Sequence, residues 1–373
     1  MPLPVLLGAF AGLISLALVI GGAWIIYAWA TGTLLATAWL AVGIAMLAWS
    51  VFGRTVVLAF FPRGADDPQR RQEPAGDENL MAPDGSFLHV EHDGSDDKPA
   101  LVLTHGWTLD SHAWYYVRKQ LADQFRLVTW DLPGLGRSTS PKDARYSVER
   151  LADDLRSVIS NTSARRVTLV GHSIGGMMML TLCRLDPQLI NERVDGLVLI
   201  DTTYTFPLKT GIAPRLMQAL RRPLIEPVLH WTIWTWPLAW LQNWLGYFNG
   251  FNHVINRLTG FGPGVTRGQL DMAAWYTAKD HPAVVAKGIL AVLSWNEEAT
   301  LQRIRAPVQI IVGEKDRLTR PRAASEMQVK VPAARVTSIP LAGHNGLLAD
   351  DERAYARAIA DAASRFASQA RAA

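Results

Sequence analysis

A single cysteine, Cys183, occurs in the 373 residues of this chain, so no disulfide can form within it. Cys183 falls in an apolar helical stretch, where a packing role fits better than a catalytic one. Charge is missing in two places. No Asp, Glu, Lys or Arg precedes Arg54, and none lies from Pro227 through Asn256. The net charge of +4 is too small to point to nucleic acid, and the nine histidines show none of the spacings that hold a metal.

The first uncharged region contains two apolar runs, Leu3–Ala30 and Leu34–Phe52, parted by Thr31-Gly32-Thr33. At about 1.5 Å per helical residue, each run can cross a hydrocarbon core of about 30 Å. Residues 1–62 therefore read as a transmembrane helical hairpin. The competing reading is a secretory signal peptide, because Ala28-Trp29-Ala30 resembles a cleavage site. Against it, no basic residue precedes the first run and a second apolar run follows at once. Arg54, Arg63, Arg70 and Arg71 follow the hairpin, whose tip carries no basic residue. The excess of positive charge predicts a two-helix inner-membrane protein with the rest of the chain on the cytoplasmic side. The short apolar stretch Val56–Phe61 fits the membrane interface. Residues 63–79, rich in Asp, Arg, Gln and Pro, read as a solvated linker.

From residue 80 onward, strand patterns alternate with helical ones. Strands are expected at Phe87–Glu91, Ala100–Thr104, Arg126–Trp130, Val167–Val170, Val194–Ile200, Val308–Val312 and Arg335–Ile339. Helices are expected near His112–Leu121, Val148–Ser160, Gly175–Leu185, Pro321–Lys330 and Asp351–Gln369. This alternation implies an α/β fold, a mostly parallel sheet with helices on both faces and a site at the carboxyl ends of its strands. The core occupies residues 80–204 and 301–373. Residues 205–300, which the sheet does not need, form a helical insertion.

The chemistry concentrates at those strand ends. Gly171-His172-Ser173-Ile174-Gly175 follows a strand and precedes a small-residue helix, the setting of a nucleophile elbow. A serine hydroxyl needs a base to become nucleophilic at neutral pH. Asp316 follows the strand at Val308–Val312, and His344 follows the one at Arg335–Ile339. Thr104-His105-Gly106-Trp107 ends an earlier strand, and Asp131-Leu132-Pro133-Gly134-Leu135-Gly136-Arg137-Ser138 ends another. The latter is no dinucleotide fingerprint, since Thr139 stands where its third glycine belongs. Its Asp and glycines suit a structural turn.

These motifs, in the order Ser173, Asp316, His344, resemble those of the serine α/β-hydrolases, among them esterases and monoacylglycerol-lipase-like enzymes. The resemblance covers about Leu80 to the C-terminus and implies the α/β-hydrolase fold, with a mostly parallel eight-stranded sheet. It implies a catalytic triad of Ser173, Asp316 and His344, with Asp201 an alternative acid at the end of the preceding strand. It also implies an oxyanion hole made by the amides of Ile174 and Trp107, and no cofactor. Trp107, Ile174, Tyr204 and Trp275 are candidates to line the substrate pocket, as is His281. His105 and His172 belong to turns that an imidazole commonly props.

The insertion carries Trp231, Trp234, Trp236, Trp240 and Trp244, then Tyr247, Phe248 and Phe251. Two readings stand: a packed cap over an acyl pocket, or a lid that dips into the bilayer interface, where tryptophan is at home. The expected partners are the membrane and a small apolar or lipid-derived ester. The function expected is ester hydrolysis through an acyl-enzyme. The same triad also serves lactone and carbon–carbon bond hydrolysis, and the fold also serves as a ligand-binding receptor. Epoxide hydrolases place a carboxylate at the elbow, which Ser173 excludes.

Overall fold

Runs of Val, Leu and Ile become strands whose alternate side chains enter opposite faces. Within Ala100–Thr104, Ala100 and Val102 join one apolar cluster, and Leu101 and Leu103 the other. Both faces are covered, so every residue of this strand is buried. Each such aliphatic side chain contributes about 1.5–3 kcal/mol when removed from water.

The computed structural model describes residues 2–68, 74–331, 333–349 and 353–372. Arg70, Arg71 and the expected helix start at Asp351 lie outside the described residues. Eight strands form one sheet: β1 Gly76–Met81, β2 Phe87–Asp93, β3 Ala100–Thr104, β4 Arg126–Trp130, β5 Val167–His172, β6 Val194–Ile200, β7 Val308–Gly313 and β8 Arg335–Ile339. Their spatial order is β1-β2-β4-β3-β5-β6-β7-β8. The pairs β1–β2 and β2–β4 are antiparallel, and the others are parallel.

Helices Val148–Asn161, Ile174–Leu185 and Pro321–Lys330 cover one face. Tyr115–Leu121 and Ala354–Ala372 cover the other. Val148, Leu151, Ala152, Leu155, Val158 and Ile159 are buried along a helix that Ser147 caps by accepting from Arg150 N at 3.2 Å.

The linker reading is corrected at both ends. Asp66 accepts from the Tyr115 hydroxyl at 2.9 Å and from Lys119 Nζ at 2.8 Å, while Asp67 bonds to Thr266. Residues that look solvated in sequence thus find donors on the core and the insertion. At the other end, the strand β1 begins at Gly76 and pairs with β2 through Met81.

The insertion departs and returns at one point, where Thr205 pairs with Asn296. Its helices include Glu226–Trp234, Trp236–Phe248, Phe251–Thr259, Arg267–Lys279 and Pro282–Leu293. Helices Pro2–Ala30 and Thr37–Ala59 precede the core and are long and apolar enough to cross a membrane. They pack directly against the insertion. Asn249 Nδ2 donates to Ser15 Oγ at 2.7 Å, and both residues are fully buried. Gly53 permits this approach, since a Cβ there would lie 2.4 Å from the Asn249 carbonyl oxygen. Nearer the core, Arg54 bonds to the Tyr247 hydroxyl and sits 3.7 Å from Asp271.

Candidate active site

The strand β5 runs straight into Ser173, which takes φ 53° and ψ −115° before the helix Ile174–Leu185 begins. A non-glycine residue rarely holds a positive φ, and such strain costs about 1–3 kcal/mol unless its surroundings enforce it. Here Ser173 N donates to the Ile200 carbonyl at 2.9 Å, and the Thr202 hydroxyl donates to the Ser173 carbonyl at 2.6 Å. Gly175 is required at the turn because a Cβ would come 2.5 Å from the Thr104 carbonyl oxygen on β3. The result is a hydroxyl presented at the carboxyl end of the sheet.

Ser173 Oγ lies 3.0 Å from His344 Nε2, and His344 Nδ1 lies 2.9 Å from Asp316 Oδ2. An ionised carboxylate only accepts, so Nδ1 carries the proton and Nε2 is left to accept from the serine hydroxyl. Asp316 is oriented in turn. Its Oδ1 accepts from the amides of Leu318 and Thr319 at 2.7 and 2.9 Å, and its Oδ2 from the Thr319 hydroxyl at 2.6 Å. Burial alone would raise this carboxyl, but the attraction of the adjoining imidazole once it takes up a second proton, together with these hydrogen bonds, outweighs it and holds Asp316 below the usual carboxylate range.

Asp201 occupies a different position. It accepts from Gly313 N at 2.7 Å and from the Tyr355 hydroxyl at 2.8 Å, and no hydrogen bond joins it to His344. Burial, then the negative charge of Asp316, push its carboxyl well up.

The two flanking histidines act as props. His172 Nε2 donates to the His344 carbonyl at 2.8 Å. Burial, then repulsion from His344 whenever that ring is protonated, bring His172 down to about 3, so the prop is neutral. His105 Nε2 accepts from Leu132 N at 3.0 Å, and burial lowers its pKa as well. Asp131 accepts from the amides of Ser111 and Arg137 at 2.7 and 2.8 Å, so the Asp-x-Pro-Gly motif is a backbone-bonded turn.

The amides of Trp107 and Ile174 donate to no acceptor among the described residues, and the carboxyl end of β3 lies beside the elbow through the pair Thr104–Gly171. The Trp107 indole turns away into the insertion, donating to the Val285 carbonyl at 3.0 Å. Ile174 is fully buried. The structure does not turn the Tyr204 hydroxyl to the triad: it donates to Glu326 at 2.8 Å. Trp275 packs among Trp244 and Tyr247 inside the insertion, and His281 lies against Trp236 with ring centres 4.5 Å apart.

Thr202 and Thr319 escaped the sequence reading, although Asp316-x-x-Thr319 is the spacing at which a hydroxyl folds back onto an aspartate. All three triad residues are buried, Ser173 being 1% exposed. A separate cavity of about 850 Å³ opens between Asp143–Ser147 and the insertion helices, and no triad residue lines it.

The family model described as alpha/beta hydrolase fold matches residues 99–351. Among curated proteins, the chain is similar to the pimeloyl-[acyl-carrier protein] methyl ester esterase of Nitrosomonas europaea, at 27% identity over 71% of this chain and 96% of that one. It is also similar to epoxide hydrolase 1 of Caenorhabditis elegans, at 31% identity over 29% of this chain and 27% of that one. Among solved structures, a thermophilic esterase from Thermogutta terrifontis superposes with a TM-score of 0.63, at 22% identity, covering 78% of this chain and 99% of that one.

Proposed function

Because this chain belongs to the alpha/beta hydrolase fold family, we propose that it is a membrane-anchored serine hydrolase that cleaves carboxylic esters of apolar or lipid-derived substrates. The observation that carries this reading is the hydrogen-bonded chain Ser173–His344–Asp316, at 3.0 and 2.9 Å. Ser173 Oγ attacks the ester carbonyl as its proton passes to His344 Nε2. The carbonyl oxygen becomes an oxyanion that the Trp107 and Ile174 amides stabilise. His344 then gives the proton to the departing alcohol, leaving an acyl-serine. A water molecule, deprotonated by His344, repeats the sequence and releases the acid, restoring the serine. Asp316 orients the imidazole and stabilises its charge. Loss of one oxyanion donor costs about a hundredfold to a thousandfold in turnover.

The lipid part of the reading is supported by the packing of the insertion on the hairpin. From Ser15 to Ala30 the first helix spans about 22 Å at about 1.5 Å per residue, short of a hydrocarbon core of about 30 Å. A hydrocarbon core whose outer boundary lies at Ala30 would therefore extend about 8 Å beyond Ser15, past the level of Gly12, which meets Gln242 of the insertion. Trp231 and Trp234 of the insertion are 60% and 74% exposed, and exposed tryptophan suits the membrane interface. The fully buried Ser15–Asn249 bond also favours retention of the first helix over its removal as a signal.

A fluorophosphonate probe should label Ser173 in folded, detergent-solubilised protein, and Ser173→Ala should abolish labelling. Esters of graded acyl length then give the preference, with an apolar optimum expected. Absence of labelling sinks the serine-hydrolase reading. Labelling without turnover of any ester turns the choice to lactone or carbon–carbon bond hydrolysis.

A further inference from the structure

We propose that Lys279 and Tyr276 are positioning residues, which act through Asp110 to hold the loop after β3 in the strained conformation that aims the Trp107 amide at the oxyanion. The proposal rests on the serine-hydrolase reading. Thr108, directly after Trp107, sits at φ 70°. A β-branched residue there reverts to negative φ unless both sides of it are held, and reversion turns the neighbouring peptide.

The insertion supplies a hold on each side, beside the core bond from Ser111 N to Asp131 Oδ1 at 2.7 Å. Behind Thr108, the Trp107 indole is bonded to the Val285 carbonyl at 3.0 Å. Ahead of it, buried Asp110 receives Lys279 Nζ on Oδ2 at 2.6 Å and the Tyr276 hydroxyl on Oδ1 at 2.8 Å. Asp110 Oδ1 also accepts from His112 N at 3.0 Å. Lys279 is enclosed by the Trp275 and Tyr276 rings, 4.7 and 5.0 Å from their centres, with Asp280 at 3.9 Å. A desolvated ion pair of this kind adds little net stability compared with apolar replacements, so its presence beside the strained residue points to geometry.

The helix Arg267–Lys279 that carries both residues is held at its other end by the end of the hairpin. Arg267 N donates to the Pro62 carbonyl at 2.8 Å, and Asp271 faces Arg54. At about 1.5 Å per residue it is a strut of about 20 Å between the apolar hairpin and the oxyanion loop.

The test uses full-length protein in detergent and p-nitrophenyl butyrate, a soluble ester that needs no membrane. Lys279→Met and Tyr276→Phe should each lower kcat, the first by about ten- to a hundredfold, with KM changed less than about threefold; Tyr276→Phe should nearly keep the melting temperature, whereas Lys279→Met should lower it by leaving Asp110 buried and unpaired. In a Thr108→Gly background the fall caused by Lys279→Met should shrink to less than about threefold, since glycine occupies the left-handed region without strain. Lys279→Arg should retain more activity than Lys279→Met. Should Lys279→Met fail to fold, the neutral pair Asp110→Asn with Lys279→Met is read by the same measurements. Unchanged kcat, an effect on KM alone, or a loss that persists in the Thr108→Gly background overturns the proposal. A wild-type protein that neither binds fluorophosphonate nor turns over the ester removes the serine-hydrolase reading and this proposal with it.

Discussion

Two buried aspartates at the carboxyl ends of β6 and β7 show how environment sorts identical side chains. Asp316 gathers donors and the imidazole, and is held ionised. Asp201 has one amide and one phenol, and sits close enough to Asp316 for the second charge to be disfavoured. Asp316→Asn should therefore lower kcat on a soluble ester by about three to four orders of magnitude, because an amide cannot hold the Nδ1 proton in the needed tautomer. Asp201→Asn keeps the shape of a side chain that bonds Gly313 and Tyr355 rather than His344, and should change kcat less than about tenfold. Steady-state kinetics of the two variants decide between them, and a larger loss for Asp201→Asn would transfer the acid role to it. Sequence placed both residues at strand ends. It favoured Asp316 and kept Asp201 as the alternative, and the contact of Asp316 with His344 Nδ1 at 2.9 Å is a matter of where that atom arrives in space.

At the level of elements, the Trp-rich insertion and the apolar hairpin form one packed unit. The buried Asn249–Ser15 bond joins residues 234 positions apart, and Arg54, Tyr247, His253 and Asp271 form a polar cluster where the hairpin meets the core. An uncharged surface bearing Trp231, Trp234, Trp236 and Trp240 would be an aggregation liability in water. Trp236→Ser with Trp240→Ser should impair turnover of a long-chain ester in liposomes at least tenfold more than turnover of a soluble short-chain ester by the same preparation. Equal losses would assign these side chains to packing of the insertion. The linker shows the reverse case: Asp66 and Asp67 read as solvated because nothing nearby in sequence could bind them, yet Tyr115, Lys119 and Thr266 do.

For the whole molecule, the distribution of arginines sets the expected orientation. Arg54 and Arg63, with Arg70 and Arg71 further on, follow the hairpin, and no basic residue lies at its tip. A reporter active only outside the cytoplasm, fused to the C-terminus, should stay silent, and the same reporter inserted at Thr31–Thr33 should be active. The opposite pattern would invert the topology. What the chain determined by itself was whatever has a local or periodic signature: seven of eight strands, the apolar runs, and the ordered Ser173, Asp316 and His344 at strand ends. Local chemistry suffices there, because strand alternation, glycine-permitted turns and helix spacing are properties of neighbouring residues. The edge strand β1, with the sequence Gly-Asp-Glu-Asn-Leu-Met, has no such signature and exists by pairing with β2. Likewise, only the tertiary structure decided that Asp316 rather than Asp201 meets His344, that Lys279 reaches Asp110, and that the insertion rests on the hairpin. Each of these contacts joins residues remote in the chain, and their energies depend on burial and on the approach of groups that no sequence spacing encodes.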